Sequence, residues 1–225
     1  MMHTHENAET RRKERQHEIV QAALNIASFE GWSEAMLAKS AVVAGLPALE
    51  ARRFFPAGVA DALAWYDAYL NTELQRLAAD APLATMRVHE RIHFLVKARL
   101  ELMAPHKEAV RRALAWQAIP WHSGSSLARG WEIADTIWSL AGDTSTDFNY
   151  YTKRSLLLQV YASTLLFWLH DTSPAHKESW EFLTRRIQGV LTFGKQFGKA
   201  RASVVNKVEN AADMVLNRAQ YRTKR

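Results

Sequence analysis

The sequence predicts an all-α protein. Apolar residues recur at three- and four-residue spacing through nearly every long segment, the pattern that one buried helical face requires. No run alternates apolar and polar residues in the manner of a half-buried strand. Between the periodic segments, Gly, Pro and Ser stand where helices start and stop.

Taken in order, residues 9–30 read as a first helix, stopped by Gly31 with Trp32 behind it. Ser33 supplies an N-cap for a short helix ending near Gly45, because its hydroxyl can accept an early backbone N–H. Pro47 suits the first turn of the next helix, where its missing N–H costs nothing; that helix ends at Phe54-Phe55-Pro56. A longer helix covers residues 59–80 and is closed by Pro82. Further helices are predicted over residues 83–104, 106–118, 124–141, 148–170, 176–193 and 196–222, giving about nine to ten in all. No repeat or low-complexity linker divides them. Three units follow: a head over 9–80, a body over 81–193 and a tail helix over 195–225, with Gly194 and Gly198 as the hinge signal.

Composition narrows the function classes. A chain of 225 residues, 48% hydrophobic with eight Trp, can bury a sizeable core. It has no cysteine, which excludes disulfides, thiolate metal sites and thiol nucleophiles and fits a reducing compartment. The opening MMHTHENAETRRKERQ carries three glutamates and no apolar core, so it reads as neither a secretory signal nor a transit peptide. The longest apolar run, residues 155–169, is interrupted by Gln159, Ser163 and Thr164. It falls short of the roughly 20 residues a membrane span needs. The net charge of +6 is confined to one end: residues 1–194 hold 21 basic and 21 acidic residues, while residues 195–225 hold eight basic and two acidic ones.

The head has a specific layout. A long helix, Gly31-Trp32, a short helix, Gly45-Leu46-Pro47, a second short helix and FFP before a longer helix resemble the helix-turn-helix head of TetR-type regulators, over about the first 75 residues. The resemblance implies an all-helical, dimeric protein with a ligand pocket in its larger C-terminal part. The segment in the groove-reading position is PALEARRFF. It offers alanines, a leucine and a glutamate where base-edge and phosphate donors are needed. Arg52 and Arg53, with Arg11, Arg12, Lys13 and Arg15, read as solvated surface charge, and no nucleic-acid partner is expected.

His89-Glu90-Arg91-Ile92-His93 matches H-E-x-x-H on a predicted helix, the arrangement that in zinc peptidases gives two imidazoles and a water-polarising carboxylate. A third ligand is required, and Glu101, His106, Glu108 and His122 stand at no recognisable spacing. With nine histidines in the chain, a chance match is the preferred reading, and no metal is expected. There is no G-x-S-x-G and no glycine-rich phosphate loop. Nothing in the residues points to catalysis or to a cofactor.

The tail is amphipathic. Phe197, Val204, Val205, Val208, Val215 and Leu216 fall in one arc with several alanines, opposite Asn206, Glu209, Asn210, Asp213 and Asn217, while Lys199, Arg201 and Lys207 flank it. At ~1.5 Å per residue the stretch 197–219 would reach about 35 Å. Its basic charge favours contact with an anionic membrane surface, so Phe197, Lys199, Arg201, Val204, Val205, Lys207, Val208, Val215 and Leu216 are the expected membrane-binding residues.

One loop is more composed than its length requires: AGDTSTDFNYYTKR, residues 141–154. Gly142 can end a helix in the left-handed conformation, and Thr144-Ser145-Thr146-Asp147 has the form of a capping box. Neither accounts for Tyr150-Tyr151 beside Lys153-Arg154, a grouping typical of contact surfaces between proteins. Together with DTSPAHKESWEFLTRRI about twenty residues later, Gly31-Trp32, Pro120, Ser125-Ser126-Leu127 and Trp138, this core resembles the ubiquinone (coenzyme Q) biosynthesis accessory family over most of the chain.

The resemblance implies a TetR-like fold that binds lipid and no longer regulates transcription. It implies an apolar pocket for isoprenoid or other lipid, an amphipathic C-terminal helix on the membrane, and a surface that docks the di-iron hydroxylase of demethoxyubiquinone. That surface maps to Ile137, Asp147, Tyr150, Tyr151 and Arg154; family members commonly have Trp at the position of Tyr150. Met103, Ile119, Trp131, Leu158 and Phe167 are the expected pocket wall. A homodimer through the helices over 148–170 and 176–193 is implied as well. Eukaryotic members carry a transit peptide, whereas this sequence starts almost at its first helix, so a bacterial relative is expected, peripheral on the inner face of the plasma membrane. The matrix side of the inner membrane is the eukaryotic equivalent. The expected function is that of a non-enzymatic lipid-binding accessory protein; the alternative is a TetR-type regulator with a hydrophobic ligand.

Overall fold

A computed structural model describes residues 2–119, 123–146 and 148–192, and every regular element among them is helical. The helices are α1 (Met2–Glu30), α2 (Glu34–Val43), α3 (Glu50–Phe54), α4 (Val59–Asp80), α5 (Val88–Met103), α6 (Lys107–Gln117), α7 (Ser123–Leu140), α8 (Phe148–His170) and α9 (177–192). The tail, with Phe197, Lys199, Arg201, Val204, Val205, Lys207, Val208, Val215 and Leu216, lies outside the described residues, as do Pro120 and Asp147.

Boundaries follow the expected chemistry. Gly31 (φ 79°) ends α1, and the Ser33 side chain accepts the Met36 N–H to start α2. Gly45 (φ 75°) ends α2, with the Leu46 N–H donating to the Ala41 carbonyl, a Schellman closure. Three starts differ from the sequence reading. Helix α1 begins at Met2, seven residues ahead of the expected Glu9. Pro47 stands in the turn before α3, whose first residue is Glu50. Leu83–Thr85 form a separate 3-10 turn, and α5 restarts at Val88. The cause is the Glu90 carboxylate, which accepts the Arg87 N–H at 2.7 Å and caps a new helix.

A single apolar core runs through the fold. In α1 it takes Ile19, Val20, Ala23, Leu24 and Ala27, and it continues through α4, α5, α7 and α8 to Leu183 and Ile187 of α9. Residues 8–15 of α1 stay exposed. Among the contacts between head and body, the Trp32 indole N–H donates to the Ala109 carbonyl in α6 at 2.9 Å, and the Arg112 side chain approaches Gly31. Within the head, the Glu34 carboxylate of α2 accepts the Val59 N–H at 3.1 Å and so caps α4. Helices α7 and α8 lie side by side, in contact with α4 and α5. No helix among the described residues is long and apolar enough to cross a membrane.

Candidate functional site

The loop between α7 and α8 is held from three sides. Gly142 (φ 86°) ends α7, and the Asp143 N–H returns to the Trp138 carbonyl at 3.0 Å. Arg91 of α5 donates to the Ala141 carbonyl at 2.9 Å. The buried Asp143 carboxylate then gathers Lys153 Nζ at 2.7 Å, the Ser145 hydroxyl at 2.8 Å and Arg154 at 3.1 Å. Burial pushes this carboxyl up, but the hydrogen bonds from Lys153, Ser145 and Arg154 outweigh it and hold it at about 2. The Thr144–Asp147 capping box lies partly outside the described residues; Ser145 serves Asp143.

Arg154 is 4% exposed. Its Nε donates to Asp135 at 2.5 Å, and its guanidinium lies under the Tyr150 ring. Burial opposes its charge, yet the two carboxylates, Asp135 and Asp143, hold its pKa above the ordinary value. The Tyr150 hydroxyl donates to Asp135 at 2.9 Å, which raises its own pKa. Tyr151 is 61% exposed, at a ring-centre distance of 5.2 Å from Tyr150 and 6.0 Å from Trp131. An aromatic face of Trp131, Tyr150 and Tyr151 therefore stands on a buried ionic base.

This corrects two expected contact residues. Arg154 does not face outward, because two carboxylates, Asp135 and Asp143, neutralise it inside. Ile137 is fully buried, being on the α7 face that packs in the core. Tyr150 and Tyr151 are presented as expected. Trp131 belongs with them and not with the pocket wall.

A cavity of about 180 Å³ lies between α1, α4, α6, α7 and α8. Met103 and Leu158 line it, as expected, with Leu63, Ile133 and Leu165. Ile119, Trp131 and Phe167 do not. Phe167 stacks on Phe182 of α9 at 4.6 Å, and Ile119 is half-buried just beyond α6. Helices α7 and α8 meet closely here: a Cβ on Gly130 would stand 2.8 Å from Leu158 Cδ1.

One end of the cavity is polar, which the sequence reading missed. Asp67 takes ion pairs from Arg99 at 3.0 Å and Arg129 at 3.3 Å, and Arg99 reaches the Tyr161 hydroxyl at 3.2 Å and Asn71 at 2.6 Å. Burial pushes the Asp67 carboxyl up, against the pull of both guanidiniums. The available signal was an arginine, Arg99, inside an otherwise apolar helical stripe.

Two residues of the H-E-x-x-H match are engaged elsewhere. Glu90 is committed to capping α5, and His93 is half-buried against the Trp180 carbonyl at 3.4 Å, its pKa lowered by burial. Among the described residues no three potential ligands converge. At the head, Leu49 is 85% exposed at the start of α3, with Val42 and Val43 also exposed, an apolar face with little to offer base edges.

Comparison with known proteins agrees with this architecture. The TetR transcriptional regulator from Nitrosomonas europaea superposes with a TM-score of 0.63, covering 77% of this chain and 95% of that one at 18% identity; the likeness is one of fold. Residues 123–194, which carry the loop and the aromatic face, match the COQ9 family model. The mitochondrial ubiquinone biosynthesis protein COQ9 of Homo sapiens is 31% identical across 90% of this chain, which spans 66% of the human protein's length. The rat protein is 30% identical, with 68% of its length spanned, and COQ9-B of Xenopus laevis 32% identical, with 72% spanned. On this identity and coverage, the chain belongs to the COQ9 family.

Proposed function

We propose that the protein is a non-enzymatic accessory of ubiquinone biosynthesis. It shelters an isoprenoid or other lipid in the cavity, docks on a membrane through residues 195–225, and presents the quinone intermediate to the demethoxyubiquinone hydroxylase at the aromatic face. The observation that carries this reading is the α7–α8 pair. Its inner side walls the cavity with Gly130, Ile133 and Leu158, while its outer side displays Trp131, Tyr150 and Tyr151. Pocket and presentation surface are thus two sides of one helix pair.

Size bounds the pocket's content. At about 180 Å³ the cavity is smaller than the ~300–1,000 Å³ of sites that enclose a whole drug-sized ligand. It takes a ring or a short run of isoprene carbons, and the rest of a polyprenyl chain extends beyond it. The COQ9 relatives named above are mitochondrial, which supports a mitochondrial compartment in a eukaryote; the reading places the protein on the matrix face of the inner membrane there and on the inner face of the plasma membrane in a bacterium. Pairing of two copies through α8 and α9, where Leu166 and Leu191 are exposed, completes the proposal.

The test is co-purification with a co-expressed hydroxylase, followed by solvent extraction and mass spectrometry. A stable complex carrying a quinone or isoprenoid is the expected result. Absence of lipid from both the free protein and the complex overturns the pocket, and salt-sensitive, operator-selective DNA binding would favour a regulator instead.

A further inference from the structure

Tyr66 of α4 lines the cavity and is only 5% exposed, yet its hydroxyl has no hydrogen-bond partner among the described residues. Its polar neighbours Tyr161 and Asp67 are engaged, Tyr161 with Arg99, and Asp67 with Arg99 and Arg129. A buried hydroxyl without a partner costs free energy that phenylalanine would avoid, and native structures rarely leave one so. Trp168 Nε1 is the other such atom, but Trp168 is not a cavity residue, and Lys107 sits over its ring at 4.9 Å. Of these two residues, Tyr66 is the one that lines the cavity.

We propose that Tyr66 is the head-group anchor of this cavity, its hydroxyl donating to the carbonyl oxygen of a neutral, largely apolar ligand. The inference rests on the lipid-binding reading and deepens it. Two sources supply such an oxygen, a quinone ring and the ester of an acyl lipid. Neutrality follows from the surroundings, where the Asp67 carboxylate and its two guanidiniums already balance much of their charge against each other and most of the other lining is apolar, Leu63, Met103, Ile133, Leu158 and Leu165 among it. The volume suits a single ring, since an apolar cavity of ~150 Å³ accepts benzene. Burial raises the phenol's pKa, so it stays a donor at neutral pH.

The experiment compares the full chain with Tyr66→Phe, using thermal-midpoint titrations in one detergent with three probes: decyl-1,4-benzoquinone, methyl decanoate and decylbenzene. Tyr66→Phe should weaken at least one carbonyl probe by about threefold to tenfold, the weight of one neutral hydrogen bond. The probe affected names the source. Decylbenzene should bind both proteins equally, and the ligand-free variant should melt at or above the wild-type temperature. Equal binding of both carbonyl probes to the two proteins overturns the anchor while leaving the lipid pocket standing. Failure of every probe to shift the wild-type midpoint overturns both. A marked loss of ligand-free stability in Tyr66→Phe would overturn the anchor by giving the hydroxyl a structural task.

Discussion

The Arg154 guanidinium carbon lies 3.4 Å from the centre of the Tyr150 ring, while the same side chain is bonded to Asp135 and Asp143. A face-on cation beneath the ring, with the hydroxyl pinned to Asp135, fixes the direction in which Tyr150 points. Arg154 therefore acts on the outer surface through Tyr150.

Replacing Arg154 by Met should leave Asp143 buried with Lys153 as its one remaining charged partner. Breaking a buried pair in this way costs about 3 kcal/mol. A urea titration should show the midpoint fall by that equivalent, and a midpoint within error of wild type would refute the buried base. Binding of the hydroxylase should weaken in parallel, because Tyr150 loses its support.

Tyr151→Asp separates contact from folding. Tyr151 is 61% exposed, so stability should stay within about 0.5 kcal/mol of wild type. Hydroxylase co-purification should fall sharply, and retained binding would count against the aromatic face. Tyr150→Asp should lose both binding and some stability, since a second carboxylate would be placed beside Asp135.

Acid should loosen the α7–α8 loop in a defined window. Asp143 is held at about 2 in the folded chain, below the ~4 of a free aspartate. A carboxyl depressed by folding contributes stability that is complete above its unfolded pKa and lost as pH falls through the folded value. Asp171 adds to the same loss: burial raises its carboxyl, but hydrogen bonds from Ser173 and Ser179 outweigh it and lower the pKa. Between denaturant midpoints measured at about pH 6 and about pH 2.5, the gap separating wild type from Asp143→Asn should shrink markedly at the lower pH. A constant gap would show that Asp143 is not the group titrating.

Truncation of residues 195–225 should abolish sedimentation with anionic liposomes, and raising salt should weaken binding of the full chain in the same assay. Undiminished binding by the truncated chain would sink the tail as the membrane contact.

Much of the fold was legible because its punctuation is local. Gly31, Ser33, Gly45 and Gly142 each act within a turn of themselves, and the end of α4 follows from Pro82 alone. The start of α5 was not, since Glu90 competes with Pro82 for where the helix begins, and the Arg87 cap decides it. In the candidate site, the tyrosines could be read from their neighbours in sequence. The burial of Arg154 could not, because its partner Asp135 lies nineteen residues away on another helix. Trp131 looked like pocket wall for a similar reason: a helical residue's face is set by the neighbour it packs on. Tyr66 was invisible, as a tyrosine on an apolar stripe reads as ordinary core until its hydroxyl is found idle.

Gly130 and Trp131 are consecutive residues of α7, one at the cavity and one beside the tyrosines, and on α8 Leu158 lines the cavity one turn along from Arg154, which lies under Tyr150. The partition between inside and outside is a single helix thick. Any substitution that reshapes the chamber shifts the footing of the aromatic face, and the reverse holds too. On the proposed function, occupant and partner would be fitted to one shared strip of polypeptide, and neither surface could drift in evolution without the consent of the other.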